Sequence, residues 1–213
     1  MIHSDTEVKF ISPEKGYGVV ATKLIPKGTI TWALDKLDRL FTPEQLGKFH
    51  GKYYELLITY CYRDRKGNFI LCWDNGRFVN HSFNSSCITT CYDFELAVKD
   101  IQPGEEITDD YGYLNMMEPF KCLPEEGSNR RMVMPDDLLH YHKEWDTKLI
   151  SAFQYLNKVD QPLKNILTKE IWEKASRIAE GKEKMDSILN CYFDPAKVNG
   201  KIKQNGHIKE LVH

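Results

Sequence analysis

Two stretches decide the fold of this chain: GRFVNHS at residues 76–82 and GEEITDDYG at residues 104–112. In the first stretch, Asn80 and His81 follow an apolar run, so several hydrogen-bonding groups come together at one place. This composition is typical of a ligand site, but it is equally typical of a polar turn that caps a strand. Taken alone, the first stretch leaves both interpretations open.

The second stretch begins with a Pro-Gly turn and carries four carboxylates, Glu105, Glu106, Asp109 and Asp110. Four acids suggest a metal site, but no histidine accompanies them. Acidic side chains are mostly exposed in folded proteins, especially beside turns. We therefore expect these carboxylates to face solvent.

A third stretch, KGYG at residues 15–18, contains a glycine pair. In a Rossmann unit such glycines follow a strand and open a helix, whose N-terminus then faces phosphate. Here they precede Val19–Ala21, an apolar run of strand type. This order argues against a Rossmann site, although glycine also lets backbone approach a ligand where a side chain would clash.

The rest of the chain changes character near Pro119. Before it, strand runs and turn residues predict hairpins over about residues 60–73 and 88–98, and Thr42 opens a short helix. After it, apolar residues at helical spacing predict helices over about residues 138–156 and Lys169–Ala179, and one more around 185–189. The sequence therefore predicts a β-rich body with a helical C-terminal appendage.

Composition excludes several classes of partner. The 213 residues carry 29 basic and 31 acidic side chains, whereas a sequence-independent nucleic-acid binder usually has a basic excess. No run approaches the ~20 apolar residues of a membrane helix, and the N-terminus lacks a secretory signal pattern. We expect a cytoplasmic protein without nucleic-acid or membrane partners, and secretion by a route without an N-terminal signal stays open. A local cluster of basic residues is interpreted as a solvated tail: Lys197, Lys201, Lys203 and Lys209.

The six cysteines form no C-x-x-C pair, the spacing of zinc ribbons and redox sites. Cys87 and Cys91 are four residues apart, which fits a metal site only loosely. Reduced and mostly buried thiols are the simpler interpretation. Sequence patterns of serine hydrolases, P-loop proteins and zinc proteases are also missing.

In this order and spacing, the three stretches resemble the motifs of the SET-domain family. The resemblance covers about residues 8–113 and continues more faintly through 120–122. It implies an α+β, mostly-β fold of small curved sheets, in which a threaded C-terminal segment brings Asn80-His81 and Asp110-Tyr111 together.

The resemblance also implies a division of the chain. A SET domain would occupy residues 1–119, and a degenerate post-SET segment with C-terminal helices would occupy residues 120–213. The length and the C-terminal helices look like those of bacterial single-domain members of the family.

The family further implies a protein-lysine methyltransferase that uses S-adenosylmethionine and acts on a protein with an accessible lysine. Tyr111 would be the catalytic residue. The residues implied to contact the methyl donor are Lys15, Gly16, Tyr17, Gly18, Arg77, Asn80, His81, Tyr111 and Phe120. Neither the protein substrate nor the number of methyl groups follows from the sequence.

The chemistry fits these residue types. Methylation requires a neutral amine, yet a lysine with a pKa near ~10.4 is neutral in only about one of a few thousand molecules at pH 7. An apolar channel beside a positive sulfonium lowers that pKa by desolvation and like-charge repulsion. Alignment supplies much of the remaining rate, and Tyr111 would orient the methyl group or the amine. Neither a metal nor a dedicated acidic base is needed.

Two departures from the family bear on these expectations. Many members bind zinc through cysteines after the Asn-His-Ser motif and downstream, but Phe83, Pro124 and Asn129 stand at three of those positions and only Cys122 remains. We therefore expect no zinc, with C-terminal helices closing the pocket instead.

The second departure is Asp109, which stands where many members have an aromatic residue that helps to set the number of methyl groups. Asp109 would contact a basic substrate segment or face solvent. It also leaves an alternative function open, a catalytically inactive SET-fold module that only binds proteins.

Overall fold

A computed structural model of the chain describes residues 1–196. The C-terminal lysines named above lie outside these residues. The strands are β1 (Thr6–Ser12), β2 (Gly16–Ala21), β3 (Ile30–Ala33), β4 (Arg39–Phe41), β5 (Cys61–Arg63), β6 (Phe69–Leu71), β7 (Asn80–His81), β8 (Cys87–Thr89), β9 (Phe94–Ala97), β10 (Glu106–Asp109), β11 (Phe120–Lys121) and β12 (Met132–Val133). The α-helices are α1 (Pro43–Leu46), α2 (Lys52–Tyr60), α3 (Asp137–Phe153) and α4 (Lys169–Ala179).

The strands form four small sheets, and the predicted α+β class is confirmed. One sheet has the order β1-β2-β10-β7, two others have the orders β3-β9-β8 and β4-β6-β5, and β11 pairs with β12 as a hairpin. The predicted hairpins correspond to the antiparallel pairs β5-β6 and β8-β9. Because each sheet is small, loops at the sheet edges come close together.

The pairing of β10 with β7 joins the two decisive stretches. These strands run parallel, with Thr108 opposite Asn80 and Asp109 opposite His81. The N–H of Ser82 then donates to the carbonyl oxygen of Asp109. The expected meeting of segments about thirty residues apart is therefore present, and it arises from backbone pairing.

Local capping explains the short helices. At α1, the Thr42 hydroxyl accepts from the N–H of Gln45 and the Gln45 side chain accepts from the N–H of Thr42, a capping box. At α4, the Thr168 side chain accepts from the N–H of Ile171. The helix predicted around residues 185–189 is wrong, since only a 3-10 helix, Ile188–Cys191, lies there. The Ser187 side chain caps this single turn by accepting from the N–H of Leu189. No run of apolar residues at helical spacing follows that would extend the turn into an α-helix.

The C-terminal helices share a hydrophobic core with the β3-β9-β8 sheet. From α3, Trp145, Leu149 and Phe153 are buried in the same cluster as Phe94 and Leu96 of β9. Burial of each such side chain contributes about 1.5–3 kcal/mol, so α3 is fixed firmly against the sheet. Within residues 1–196, no helix combines the length and the apolar character needed to cross a bilayer.

Candidate active site

A large pocket of ≈ 670 Å³ lies where β7 meets β10. This volume is within the range of about 300–1,000 Å³ that is typical of small-molecule sites. Five of the residues predicted to contact a ligand line it: Lys15, Asn80, His81, Tyr111 and Phe120. The rest of this large pocket is formed mainly by Glu106 and by the segment 121–125.

The side chain of Asn80 ties the glycine stretch to this pocket. Its Nδ2 donates to the carbonyl oxygen of Tyr17 at 3.0 Å and to Oε1 of Glu106 at 2.7 Å. Lys15 Nζ lies 2.8 Å from Glu106 Oε2. A Cβ atom at Gly18 would lie 2.5 Å from Glu106 Oε1 and 2.8 Å from Asn80 Nδ2. Glycine is therefore required there so that these polar side chains can converge.

Other predicted residues lie away from the large pocket. The Tyr17 side chain is 58% exposed and packs edge-on against Phe10. Arg77 donates to the carbonyl oxygens of Trp73 and Asp74 and borders a different cavity. The structure thus does not bring Arg77 to the large pocket with Asn80.

His81 is held as a neutral imidazole. Desolvation and the nearby Arg130 lower the pKa of His81 to about 4. Its Nδ1 accepts from the backbone N–H of Tyr111 at 3.2 Å, so the proton is on Nε2. Nε2 is buried without a hydrogen-bond partner. His81 therefore carries an unsatisfied buried donor, a feature that folded proteins usually avoid outside functional sites.

Tyr111 lines both the large pocket and a second space. Its ring lies 5.4 Å from the His81 ring and 6.0 Å from the Phe120 ring, between centroids. Its hydroxyl donates to the carbonyl oxygen of Val79 at 2.9 Å. Burial raises the pKa of Tyr111, so the hydroxyl stays protonated. The second space is a small cavity of ≈ 100 Å³.

Residues 16–112 match the family model of the SET domain. Over these residues the chain is similar to the SET domain. No curated protein sequence matches it. A candidate histone methyltransferase of Plasmodium falciparum is among the solved structures that match, at 20% identity and a TM-score of 0.38. That match covers 52% of this chain and 95% of the other. SET domains are domains of protein methyltransferases, and the family match supports this general class of activity.

The small cavity combines aromatic rings with acids. Rings are contributed by Trp32, Tyr60 and Tyr62, and carboxyl groups by Glu95 and Asp109. The expectation that the acids of the second stretch face solvent is wrong for two of them, since Asp109 is 5% exposed and Asp110 is fully buried. The reason is topological: Asp109 is paired with His81 between β10 and β7, and Asp110 comes directly after it, so the pairing carries both inside.

Asp110 and Asp137 are bridged by one guanidinium. Arg130 Nη1 donates to Asp110 Oδ2, and Arg130 Nη2 donates to Asp137 Oδ2. The guanidinium also lies over the rings of Phe83 and Tyr141, at 4.3 Å and 4.2 Å from their centroids. Desolvation raises the pKa of Asp110 to about 6 although Arg130 opposes this. Arg130 therefore joins the Tyr111 segment to α3.

A hairpin, and not the C-terminal helices, closes the large pocket. Residues 120–125 form its wall, and no residue of α3 or α4 borders it. The Glu125 carboxylate accepts from the Ser82 hydroxyl and from the backbone N–H groups of Phe83, at 2.7 Å, and Asn84, at 3.3 Å. The expected role of the helices is therefore wrong in detail: α3 holds the wall through Arg130 and does not form it.

Cys122 lies in an apolar cluster beside this wall. Phe83, Cys122 and Val133 are buried together, and Tyr111 packs against them. Within residues 1–196, no three His, Cys, Asp or Glu side chains are grouped as a metal would require. The link from the wall to the Asn-His-Ser motif is made by Glu125 and by this apolar cluster.

Proposed function

We propose that this chain is an S-adenosylmethionine-dependent protein-lysine N-methyltransferase with Tyr111 as its catalytic residue. The observation that carries the proposal is that Tyr111 forms a common wall of the large pocket and the small cavity. A methyl donor and an amine acceptor must approach from opposite sides, because the transfer is an in-line displacement. Two spaces that meet at one hydroxyl-bearing ring fit this requirement.

The large pocket suits the methyl donor. S-adenosylmethionine, when bound, supplies a methyl group on a positively charged sulfur. Lys15 and Glu106 offer charges of both signs for the amino-acid end of such a ligand, and the His81 side chain borders the same pocket. Phe120 offers an aromatic face, which attracts flat rings and cations. We propose that these residues, with Asn80 and Tyr111, contact the methyl donor.

The small cavity suits a lysine side chain. Its volume of ≈ 100 Å³ admits a narrow group and little else. The rings of Trp32, Tyr60 and Tyr62 offer apolar walls for the methylene chain and π-faces for a cationic head. Desolvation there lowers the pKa of an amine, which raises the neutral fraction that can react. The Tyr111 hydroxyl is fixed by Val79 and can orient the amine.

Two linked measurements test this proposal. Titration calorimetry with S-adenosylmethionine should give one binding site per chain. Mass spectrometry of lysine-containing proteins incubated with enzyme and isotope-labelled donor should give labelled lysine. Absence of donor binding would contradict the whole proposal, whereas donor binding without transfer to any protein would favour the inactive binding module.

A further inference from the structure

Two buried carboxyl groups lie in the small cavity close to Tyr111. Glu95 is 8% exposed and lies on β9, opposite Trp32 of β3. Asp109 is 5% exposed and ends β10, two residues before Tyr111. Both line the small cavity that Tyr111 also lines. The sequence places them 14 residues apart, so only the fold reveals them as a pair.

Few groups of opposite charge lie near the Glu95 and Asp109 carboxyl groups. In the part of the chain that the structure describes, neither carboxyl group has a salt bridge with a lysine or an arginine. The Tyr113 hydroxyl donates to Asp109 Oδ1 at 3.0 Å, and burial and the negative charge of Asp109 raise the pKa of Glu95. A nearby polar group, Nε1 of Trp32, is buried without a partner. Buried acids without a counter-ion are expensive, which points to a cationic ligand at this position.

Burial shapes the protonation of the pair. Desolvation raises the pKa of Asp109 to about 6, and desolvation together with Asp109 raises that of Glu95 well above its ordinary value. Two adjacent carboxyl groups in an apolar site do not both ionise easily, since their charges repel. At neutral pH the pair therefore holds one proton and one negative charge, and it has room for a second proton.

We propose that the Glu95–Asp109 pair binds the ammonium head of the substrate lysine and accepts one of its protons. This inference rests on the function proposed above and deepens it. It changes the expectation that no dedicated acidic base is needed. The aromatic walls of the cavity guide the methylene chain, and the acids at its end attract only a group that carries N–H bonds and positive charge.

The step balances in atoms and charge. An ammonium with charge +1 and the singly ionised pair become a neutral amine and a fully protonated, neutral pair. The nitrogen lone pair then forms the N–C bond while the S–C bond of the sulfonium breaks and its electrons remain on sulfur. The product is a methylated ammonium and a neutral thioether, and the pair returns its extra proton to solvent.

Several other titratable groups face the pair, so the pH test must separate them. Asp110 adjoins Asp109 and also has a pKa raised by burial, but it is bonded to Arg130 and does not contact Glu95. The remaining groups close to one or both acids are the N-terminus, Tyr62, Cys72, Cys87, Tyr111 and Tyr113. A substitution at Glu95 therefore distinguishes titration of the pair from titration of Asp110.

The experiment measures kcat for methyl transfer against pH for the wild type, Glu95→Gln and Asp109→Asn. The acceptor is an unmodified lysine-containing protein that the wild type labels in the mass-spectrometric assay. The wild-type kcat should fall below about pH 6, where the pair is fully protonated. Glu95→Gln should move this fall to higher pH, because the Glu95 carboxyl group, which holds the one proton of the pair, lowers the pKa of Asp109 and is lost in the variant. Asp109→Asn should lower kcat about 100-fold, the lower range for loss of a general base.

Titration calorimetry with S-adenosylmethionine serves as the control, since both variants should keep the wild-type Kd for the methyl donor. Wild-type kcat and an unchanged pH profile in both variants would overturn the inference while the proposed function stands. If Asp109→Asn does not fold, the pH profile of Glu95→Gln alone decides. A wild type that binds the methyl donor and transfers no methyl group would overturn the proposed function, and this inference with it.

Discussion

The large pocket has a hairpin segment as its wall, whereas the small cavity, which also borders Tyr111, is lined by strands, by the end of α2 and by aromatic rings. The wall of the large pocket depends on two polar residues, Glu125 and Arg130, which bond Phe83 and Asp110 far back in the sequence. The small cavity depends on Trp32 and its neighbours in the sheet core. Substitutions in the wall of the large pocket should alter the affinity for the methyl donor and the stability of the fold. Substitutions in the small cavity should alter the rate of methyl transfer.

The largest effect on the hairpin wall should come from Arg130→Met. It leaves Asp110 and Asp137 buried without their cation, and loss of one member of a buried ion pair costs about 3–5 kcal/mol. Urea unfolding should report this loss. The matched control is Arg131→Met, because Arg131 is exposed and bonds only backbone carbonyl oxygens. Equal losses in the two variants would mean that the wall does not depend on charge.

His81 should give the next largest effect, through pH. Its pKa is about 4 in the folded chain, against 6.5 ordinarily, so the unfolded chain binds more protons between these values. Stability from this residue is therefore full above pH 6.5 and falls as the pH drops to 4, by about 3 kcal/mol at 1.36 kcal/mol per pKa unit.

The measurement compares unfolding free energies of the wild type and His81→Gln across that window. Glutamine does not titrate, so effects of Asp109 and Asp110 cancel in the difference. A difference that stays constant with pH would contradict a neutral, desolvated His81 at the edge of the large pocket.

Glu125→Gln should have a smaller and more local effect. The variant keeps the shape of the side chain but loses the charge that accepts from Ser82 and Phe83, and hydrogen bonds to charged groups are worth about 1.5–3 kcal/mol. A wall that is closed less often lowers the apparent affinity for the methyl donor, by about tenfold for 1.4 kcal/mol. Calorimetry should find this change, with Glu126→Gln as the neighbouring control. If both glutamate variants bind alike, Glu125 does not hold the wall.

Sequence patterns predicted the parts of this architecture that depend on neighbouring residues. The capping box of Thr42 and Gln45 is local, and so is the apolar period that produces α3 and α4. The meeting of Asn80-His81 with Asp110-Tyr111 followed from family resemblance, because strand pairing over about thirty residues has no local signal.

The polar residues that complete the site could not be found this way. Glu125 bonds Phe83 across 42 residues and Arg130 bonds Asp110 across 20. Glu95 lies between apolar residues in the strand Phe94–Ala97. This acid in an apolar strand is the one sequence feature that could have indicated a buried carboxyl group. A buried acid in a strand is unusual enough to mark a functional residue.

The smallest effect should come from Tyr17→Ala. The side chain is exposed and only its carbonyl oxygen, which the variant keeps, accepts from Asn80. Exposed substitutions usually change free energies by no more than about 0.5 kcal/mol, so the Kd for the methyl donor should be nearly unchanged in calorimetry. A large loss of affinity would mean that the Tyr17 ring folds over the bound ligand.

The most direct test of the division at Tyr111 is the Tyr111→Phe variant, with the Kd for S-adenosylmethionine and the kcat for methyl transfer measured on the same preparation. The ring remains in the wall of the large pocket, while the hydroxyl bonded to Val79 is lost. The account predicts an unchanged Kd and a kcat lower by about 10²-fold, the scale of a misaligned reactant. An unchanged kcat, or a Kd that weakens as much as kcat falls, would contradict it.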